Sequence, residues 1–190
     1  MQNANRNQFL LALGSNALAE PPASALLIGE ALAKLKGEGV EIIAASRMWR
    51  TPAWPPGNGP DFANSCVVVE SAHTAQALLA VLHSVEAGMG RVRLHRWGQR
   101  VIDLDLLAAG QAILPDCGTV SQWMALVPSD QSRLTPPHLL VPHPRMHQRG
   151  FVLVPLAEVA PNWVHPVLGQ SVAQMLAALD PAEIAEIRPI

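Results

Sequence analysis

The fold prediction starts from residues 62–90, "FANSCVVVESAHTAQALLAVLHSVEAGMG". Within this stretch the spacing of hydrophobic residues changes from a strand pattern to a helix pattern. Its first part, Phe62–Glu70, is an apolar and β-branched run typical of a buried strand. Its second part, Thr74–Gly90, carries apolar residues at helical spacing, with Thr74 placed to cap the helix and glycines placed to end it. The stretch therefore predicts a strand followed directly by a helix.

The segments on either side extend this unit into a recognisable order. Towards the N-terminus, Phe9–Asn16 is predicted as a strand, and the apolar spacing between Pro22 and Lys36 predicts a helix. Extended residues 40–51 and a Pro-rich loop, Pro52–Pro60, then lead to Phe62. With a further strand at 101–110, the order is strand, helix, strand, strand, helix, strand. This predicts an α+β fold of the ferredoxin-like βαββαβ type, with a mostly antiparallel sheet and helices on one face.

The rest of the chain carries weaker signals. Residues 111–141 are predicted to be a long loop excursion with at most one helical turn. Gly150–Leu156 is predicted to be a short extended piece, and Ser171–Leu179 a last small helix. No repeat or linker divides the sequence, so we expect residues 1–190 to form a single domain.

Composition excludes several classes of protein. Hydrophobic residues make up 49% of the 190 positions and charged residues 15%, which argues against disorder. A formal net charge of −2 gives no global attraction to nucleic acid or membranes. The polar start of the chain and the lack of a long apolar run predict a cytoplasmic protein. Cys66 and Cys117 are too few for a disulfide framework or a zinc site, and Cys66 is expected to be buried in its strand.

Two acids interrupt the apolar run "VIDLDLL", residues 101–107. In a strand Asp103 and Asp105 share one face, about 6.6 Å apart along the chain. Their mutual repulsion would be relieved by Mg²⁺, which one or two carboxylates hold together with substrate phosphates. The alternative, which the pattern leaves open, is that each acid pairs with a nearby arginine.

Basic residues cluster close to these acids. Eleven of the 13 basic residues are arginines, and four of them fall between Arg91 and Arg100. A nucleoside triphosphate with Mg²⁺ would satisfy both groups, with metal on the acids and phosphate oxygens on the guanidiniums. The chain has no GxxxxGK[ST] loop, so the phosphates are not expected in a P-loop. A second basic group, "VPHPRMHQRGF" at residues 141–151, offers His143 and Arg149 as further phosphate ligands.

Taken in order, these segments resemble one known family. "LALGSN", "RTPAWPP", "PDFANS", "GRVR", "RWGQRVIDLDLL" and "VPHPRMHQRGFVLVPLAEVAP", from residue 11 to residue 161, resemble the 6-hydroxymethyl-7,8-dihydropterin pyrophosphokinases. The resemblance implies pyrophosphoryl transfer from ATP to the pterin hydroxymethyl group, with release of AMP. It implies ATP and a reduced pterin as substrates, two Mg²⁺ ions, and folate-pathway enzymes as neighbours.

The resemblance also implies roles for individual residues. Asp103 and Asp105 would hold the metal and, with Arg91 and Arg100, form the catalytic group. The residues implied for ATP binding are His83, Glu86, Arg91, Arg93, Trp97, Arg100, His143 and Arg149. The residues implied for pterin binding are Thr51, Pro52, Trp54, Phe62, Asn64 and Phe151. Of these, Phe62 and Phe151 would sandwich the ring, and Asn64 would bond to its edge.

Two other functions remain open from the sequence. A ferredoxin-like sheet with exposed aromatics and arginines could bind RNA, although carboxylates on the strand argue against that partner. A catalytically silent scaffold is the other alternative, and the intact acids, arginines and Asn64 argue against it. Binding of nucleic acid or of a membrane is not expected.

Overall fold

A computed structural model describes residues 6–18, 20–53, 59–90 and 101–190, and confirms the ferredoxin-like α+β order. Within these residues the strands are β1 Asn7–Ser15, β2 Glu41–Ala45, β3 Trp49–Thr51, β4 Phe62–Ser71, β5 Asp103–Ala109 and β6 Arg188–Pro189. The helices are α1 Pro21–Gly37, α2 Ala75–Gly88, α3 Cys117–Met124, α4 Pro128–Arg133, α5 Gly150–Val159, α6 Val172–Ala177 and α7 Pro181–Ile184, with a 3₁₀ turn at Met146–Gln148.

The strands of the described chain form one antiparallel sheet in the order β5-β1-β4-β3-β6, and β2 also pairs with β4. Strand β1 lies between β4 and β5, so its residues have register partners on both sides. The chain enters α1 at Pro21 and Pro22, whose fixed φ and missing N–H suit the first helical turn. Thr74 caps α2 as predicted, by accepting a hydrogen bond from the Ala77 N–H at 3.2 Å.

Each face of the sheet has its own core. Helices α1 and α2 cover one face, as predicted, and their buried Ile28, Leu35 and Leu82 pack with alternate residues of β1 and β4. The other face, which the sequence left uncovered, carries α5 and α6. Cys66 lies in this second core, buried as expected, and burial raises the pKa of its thiol.

The prediction of an extended piece at Gly150–Leu156 is wrong, because this stretch begins helix α5. Val152, Val154 and Pro155 disfavour a helix locally, since two are β-branched and Pro155 removes a backbone donor. Burial outweighs these preferences. Val152, Leu153 and Leu156 recur at helical spacing and are fully buried against the sheet. Burying a side chain of this size contributes about 1.5–3 kcal/mol, so the three together outweigh a penalty of about 3 kcal/mol for Pro155 and less than about 1 kcal/mol for each valine.

Residues 111–141 are more ordered than predicted. Leu114 and Val141 form a β-bridge that closes the base of the segment, with N···O distances of 2.8 and 3.1 Å. Between them, Asp116 caps α3 by accepting from the Thr119 N–H at 2.9 Å, and α4 follows. The missed signal was Asp116 itself, an N-cap residue ahead of a short apolar pattern.

A pair of histidine rings, His165 buried and His147 half-buried, joins the 3₁₀ turn to the residues after α5. The rings of His147 and His165 meet edge to face at 6.3 Å between centroids, and Trp163 contacts His165 at 5.7 Å. Nδ1 of His165 accepts from the N–H groups of Val167 and Leu168, each at 3.3 Å. Burial and the neighbouring His147 lower the pKa of His165 to about 4.

His165 makes folding stability sensitive to acid. Since its pKa of about 4 lies below the usual 6.5, the unfolded chain takes up a proton that the folded chain refuses between these values. Stability should fall as pH drops from 6.5 towards 4, by up to about 1.4 kcal/mol per pH unit. We expect His165→Asn, which keeps an acceptor near Nδ1, to lose less Tm between pH 7 and pH 5 than the wild type. Exposed His138→Asn is the control. Equal losses in wild type and His165→Asn would contradict the assignment.

Candidate functional site

The predicted acid pair lies on a part of the sheet that α5 and α6 do not cover, among the residues that the structure describes. Asp103 and Asp105 are half-buried, while Ile102, Leu104 and Leu106 point into the core under α1 and α2. The alternation predicted for this strand is therefore confirmed. Both carboxylates lie on the face covered elsewhere by α5 and α6, beyond the end of that core. They face the start of α5.

Glu86 fixes the outer edge of this strand. It is 2% exposed at the end of α2, and its Oε1 accepts from the backbone N–H of Leu104 at 2.8 Å. Leu104 lies between the two acids, so this bond holds the strand at the point where they project. The resemblance assigned Glu86 to ATP. The structure describes a contact of Glu86 with β5, for which sequence spacing carried no signal, and the assignment to ATP stays a prediction.

His143 is held in one orientation beside the acids. Its backbone N–H donates to the Leu107 carbonyl at 2.8 Å, and its Nδ1 accepts from the Arg145 N–H at 3.1 Å. Because Nδ1 is an acceptor, the proton of the neutral ring lies on Nε2. Burial, followed by the charges of Arg149 and Arg145, lowers the pKa of His143 to about 3. At neutral pH His143 is thus an uncharged N–H donor.

Arg149 links the acids to an aromatic ring. Its Nη1 lies 3.8 Å from Oδ2 of Asp105, and its Cζ lies 5.4 Å from the centroid of the Phe151 ring. Only 19% of the Arg149 side chain is exposed, so the guanidinium is held between a carboxylate and a π face. The alternative of acid–arginine pairing is thus present for Asp105, in a loose form.

Strand β4 supplies a polar group on the same face. Asn64 is 7% exposed, and its Nδ2 donates to Oγ1 of Thr51 on β3 at 2.7 Å. Phe62 lies two residues earlier, half-buried, and is the register partner of Thr51. Three of the residues predicted to bind a pterin therefore lie together on β3 and β4.

Sequence reasoning missed Gly14, which lies between the two groups. Gly14 pairs with Asn64 on one side and with Asp103 on the other. A Cβ at this position would lie 2.6 Å from Oδ1 of Asn64, so only glycine leaves room for the amide. Asn16, two residues later, donates to the Pro60 carbonyl at 3.4 Å. The sequence signal for Gly14 was the motif "LGSN", which by itself predicts only the end of a strand.

The remaining predicted residues fall into two groups. His83 is exposed on α2, three residues before Glu86, and Pro52 is exposed just after β3. The others lie outside the described residues: Trp54, Arg91, Arg93, Trp97 and Arg100. Across the described part of the chain, no helix combines the length and apolar character needed to cross a bilayer.

Comparisons with known proteins agree with the resemblance. The family model described as 7,8-dihydro-6-hydroxymethylpterin-pyrophosphokinase (HPPK) matches residues 10–161. A curated 2-amino-4-hydroxy-6-hydroxymethyldihydropteridine pyrophosphokinase of Methylorubrum extorquens is 36% identical over 177 residues, covering 93% of this chain and 96% of that protein. The enzyme of the same name from Synechocystis is 36% identical over 151 residues, covering 80% and 67%.

Solved structures share the fold at low sequence identity. Wild-type Plasmodium falciparum HPPK-DHPS gives a TM-score of 0.63 at 16% identity, and a triple mutant of it gives 0.67 at 15%. The match covers 91% and 98% of this chain, but only 44% and 45% of those longer chains. At this identity the likeness concerns the fold alone.

The family match and the curated relatives span most of the chain, and the acid strand, His143, Arg149 and Asn64 lie within the matched region. The chain belongs to the HPPK family, the ATP-dependent pyrophosphokinases that carry out pyrophosphoryl transfer in folate biosynthesis.

Proposed function

We propose that the open sheet face divides into a phosphate half and a pterin half, with the reacting atoms meeting above Gly14. The observation that carries this is the register of the central strand. Gly14 pairs with Asp103 and with Asn64, so the acid and the amide lie two strands apart. At a strand spacing of about 4.8 Å, their Cα atoms are separated by roughly 10 Å. That span suits a ring bound at Asn64 whose hydroxymethyl group reaches a phosphate held at Asp103.

The phosphate half has the chemistry that Mg²⁺ requires. Within the described ranges, no group of three or more His, Cys, Asp or Glu side chains could hold a metal ion. Two carboxylates on one face fit Mg²⁺, which keeps water and takes phosphate oxygens as its other ligands. Asp103 and Asp105 would hold the metal, two ions by family resemblance. Bound there, Mg²⁺ would neutralise phosphate charge and orient the triphosphate.

The chain's own groups complete this half. Neutral His143 offers its Nε2–H to a phosphate oxygen, and the Arg149 guanidinium offers charge-assisted bonds. By family resemblance Arg91, Arg93 and Arg100 add further guanidiniums, and His83, Glu86 and Trp97 border the nucleotide. The pterin hydroxyl attacks the β-phosphorus and AMP leaves. Catalysis then rests on positioning and charge stabilisation.

The pterin half offers an aromatic side chain for each face of the pterin ring and an amide for its edge. Phe62 on β4 and Phe151 on α5 would flank the ring, and Asn64 would bond to its edge. The bond from Asn64 to Thr51 fixes the amide, so its Oδ1 stays over Gly14. Pro52 and Trp54 would line the pocket from the adjoining loop.

Two wider assignments belong to the same proposal. The fused HPPK-DHPS chains of Plasmodium falciparum support a folate-pathway enzyme as the neighbour of this chain. A cytoplasmic location follows from the family resemblance alone. The acid pair argues against the RNA-binding alternative, because carboxylates repel phosphodiester groups unless a metal ion is present. Salt-dependent RNA binding without ATP turnover would support that alternative. The scaffold alternative predicts no AMP release and is tested directly below.

Removing either carboxylate charge should abolish turnover without unfolding the protein. We expect Asp103→Asn and Asp105→Asn each to lower the rate of pterin-dependent AMP release from MgATP by about 100-fold or more. Thermal unfolding should change little, since both side chains are half-exposed. Asp116→Asn, which keeps the cap acceptor of α3, is the matched control and should retain full activity. Wild-type rates in both site variants would rule out the metal role, and an inactive wild type would favour a scaffold.

Adding a methyl group at Gly14 should damage the pterin half first. In Gly14→Ala the new Cβ displaces the Asn64 amide, so we expect the KM for 6-hydroxymethyl-7,8-dihydropterin to rise at least about tenfold. The KM for ATP should change less. Overpacking should also cost about 1–3 kcal/mol of stability.

Gly29→Ala in α1 is the matched control, because a Cβ there meets nothing within 4 Å. This control should keep both KM values and be slightly more stable. An unchanged pterin KM in Gly14→Ala would show that Asn64 does not bind the ring edge.

A further inference from the structure

We propose that residues 181–190 position the pterin half of the site. They contact both strand β3 and the start of helix α5. The inference rests on the proposed function, in which Thr51 and Phe151 line the pterin. The family model and the resemblance both end at residue 161, so neither assigns this segment a role.

The first contact of the segment is with strand β3. Strand β6 pairs antiparallel with it, with Trp49 opposite Pro189 and Arg50 opposite Arg188. The Ile190 N–H donates to the Met48 carbonyl at 3.0 Å. Strand β3 has only three residues and is otherwise paired with β4. The segment thus supplies the second paired edge of a very short strand whose last residue, Thr51, holds Asn64.

The second contact is with the start of helix α5. A Cβ at Gly150 would lie 3.0 Å from Cγ2 of Ile184 and 3.2 Å from Cδ1 of Ile187. Both isoleucines therefore pack closely against Gly150. Ile187 is 7% exposed, so it is anchored in this contact. Gly150 lies between Arg149, which faces Asp105, and Phe151.

The two ends of the Pro-rich loop lie next to residues 181–190. Arg50 and Asp61 form an ion pair at 2.6 Å that joins the two ends of the connection between β3 and β4. The Arg50 side chain is 61% exposed, so this pair contributes little on its own. Surface cavities of about 370 and 480 Å³ border it, and both are also lined by residues of 181–190. Because these cavities border the ion pair, the backbone pairing of β6 constrains β3 more firmly than the ion pair does.

One short segment therefore sets the distance between the two walls of the pterin pocket. Its backbone fixes the strand that carries Thr51, and its isoleucines fix the helix end that carries Phe151. The phosphate half lies on β5 and the 143–149 turn, and the contact that the structure describes between residues 181–190 and this region is the one at Gly150. Loosening it should weaken pterin binding more than ATP binding.

The experiment compares two ways of loosening the segment in the full chain. Ile190→Pro removes the N–H that bonds to Met48, and Ile190→Ala is its matched control, since it trims the side chain and keeps the donor. Ile187→Ala opens the contact at Gly150. KM values for pterin and for MgATP are measured by AMP release, with thermal unfolding in parallel.

We expect the pterin KM to rise by about tenfold in Ile190→Pro and Ile187→Ala, with the ATP KM within about twofold of wild type. Ile190→Ala should behave as wild type. An unchanged pterin KM in Ile190→Pro, or a parallel rise of both KM values, would overturn the inference while leaving the proposed function intact. A wild-type protein without pterin-dependent AMP release would instead overturn the proposed function and the inference with it.

Discussion

The double pairing of strand β1 is the constraint on which the rest of the structure depends. Because β1 bonds to β4 on one side and β5 on the other, residues distant in sequence become lateral neighbours with fixed spacing. Gly14 shows the consequence, since Asn64 and Asp103 are its partners on opposite sides. A shift of one residue in either register would move the amide or the acid to the opposite face of the sheet. The relative positions of Asn64 and Asp103 are therefore set by the register of the sheet.

The uneven covering of the sheet creates the site. Helices α1 and α2 bury one face, whereas α5 and α6 bury only part of the other. Polar residues lie where that second core ends, so Asp103 and Asp105 stay half-exposed and do not enter an apolar interior. Helix α5 begins at this boundary. As a result Arg149 and Phe151 reach the open face from a helix end, while Asp103, Asp105 and Asn64 reach it from strands.

Several interactions around the site act by positioning other groups. The Glu86 carboxylate holds the edge strand between the two acids, and the Arg145 N–H sets which nitrogen of His143 carries the proton. Thr51 fixes the amide of Asn64. Each is a hydrogen bond in a buried or half-buried setting, where an unpaired partner would be costly. Such bonds hold these polar groups in fixed orientations, as the proposed substrate binding requires.

The sequence by itself determined the order of four strands and two helices, the shared face of Asp103 and Asp105, and the family, because period and motif are local properties. Residues 40–51, predicted as one extended strand, form two strands in the structure, β2 and β3. Only the tertiary structure decided that 150–159 is a helix, since burial of Val152, Leu153 and Leu156 outweighs Pro155 and the β-branched residues. It also decided the second helical layer, the role of Gly14 and the position of 181–190. These depend on contacts between segments far apart in the chain, which local pattern does not encode.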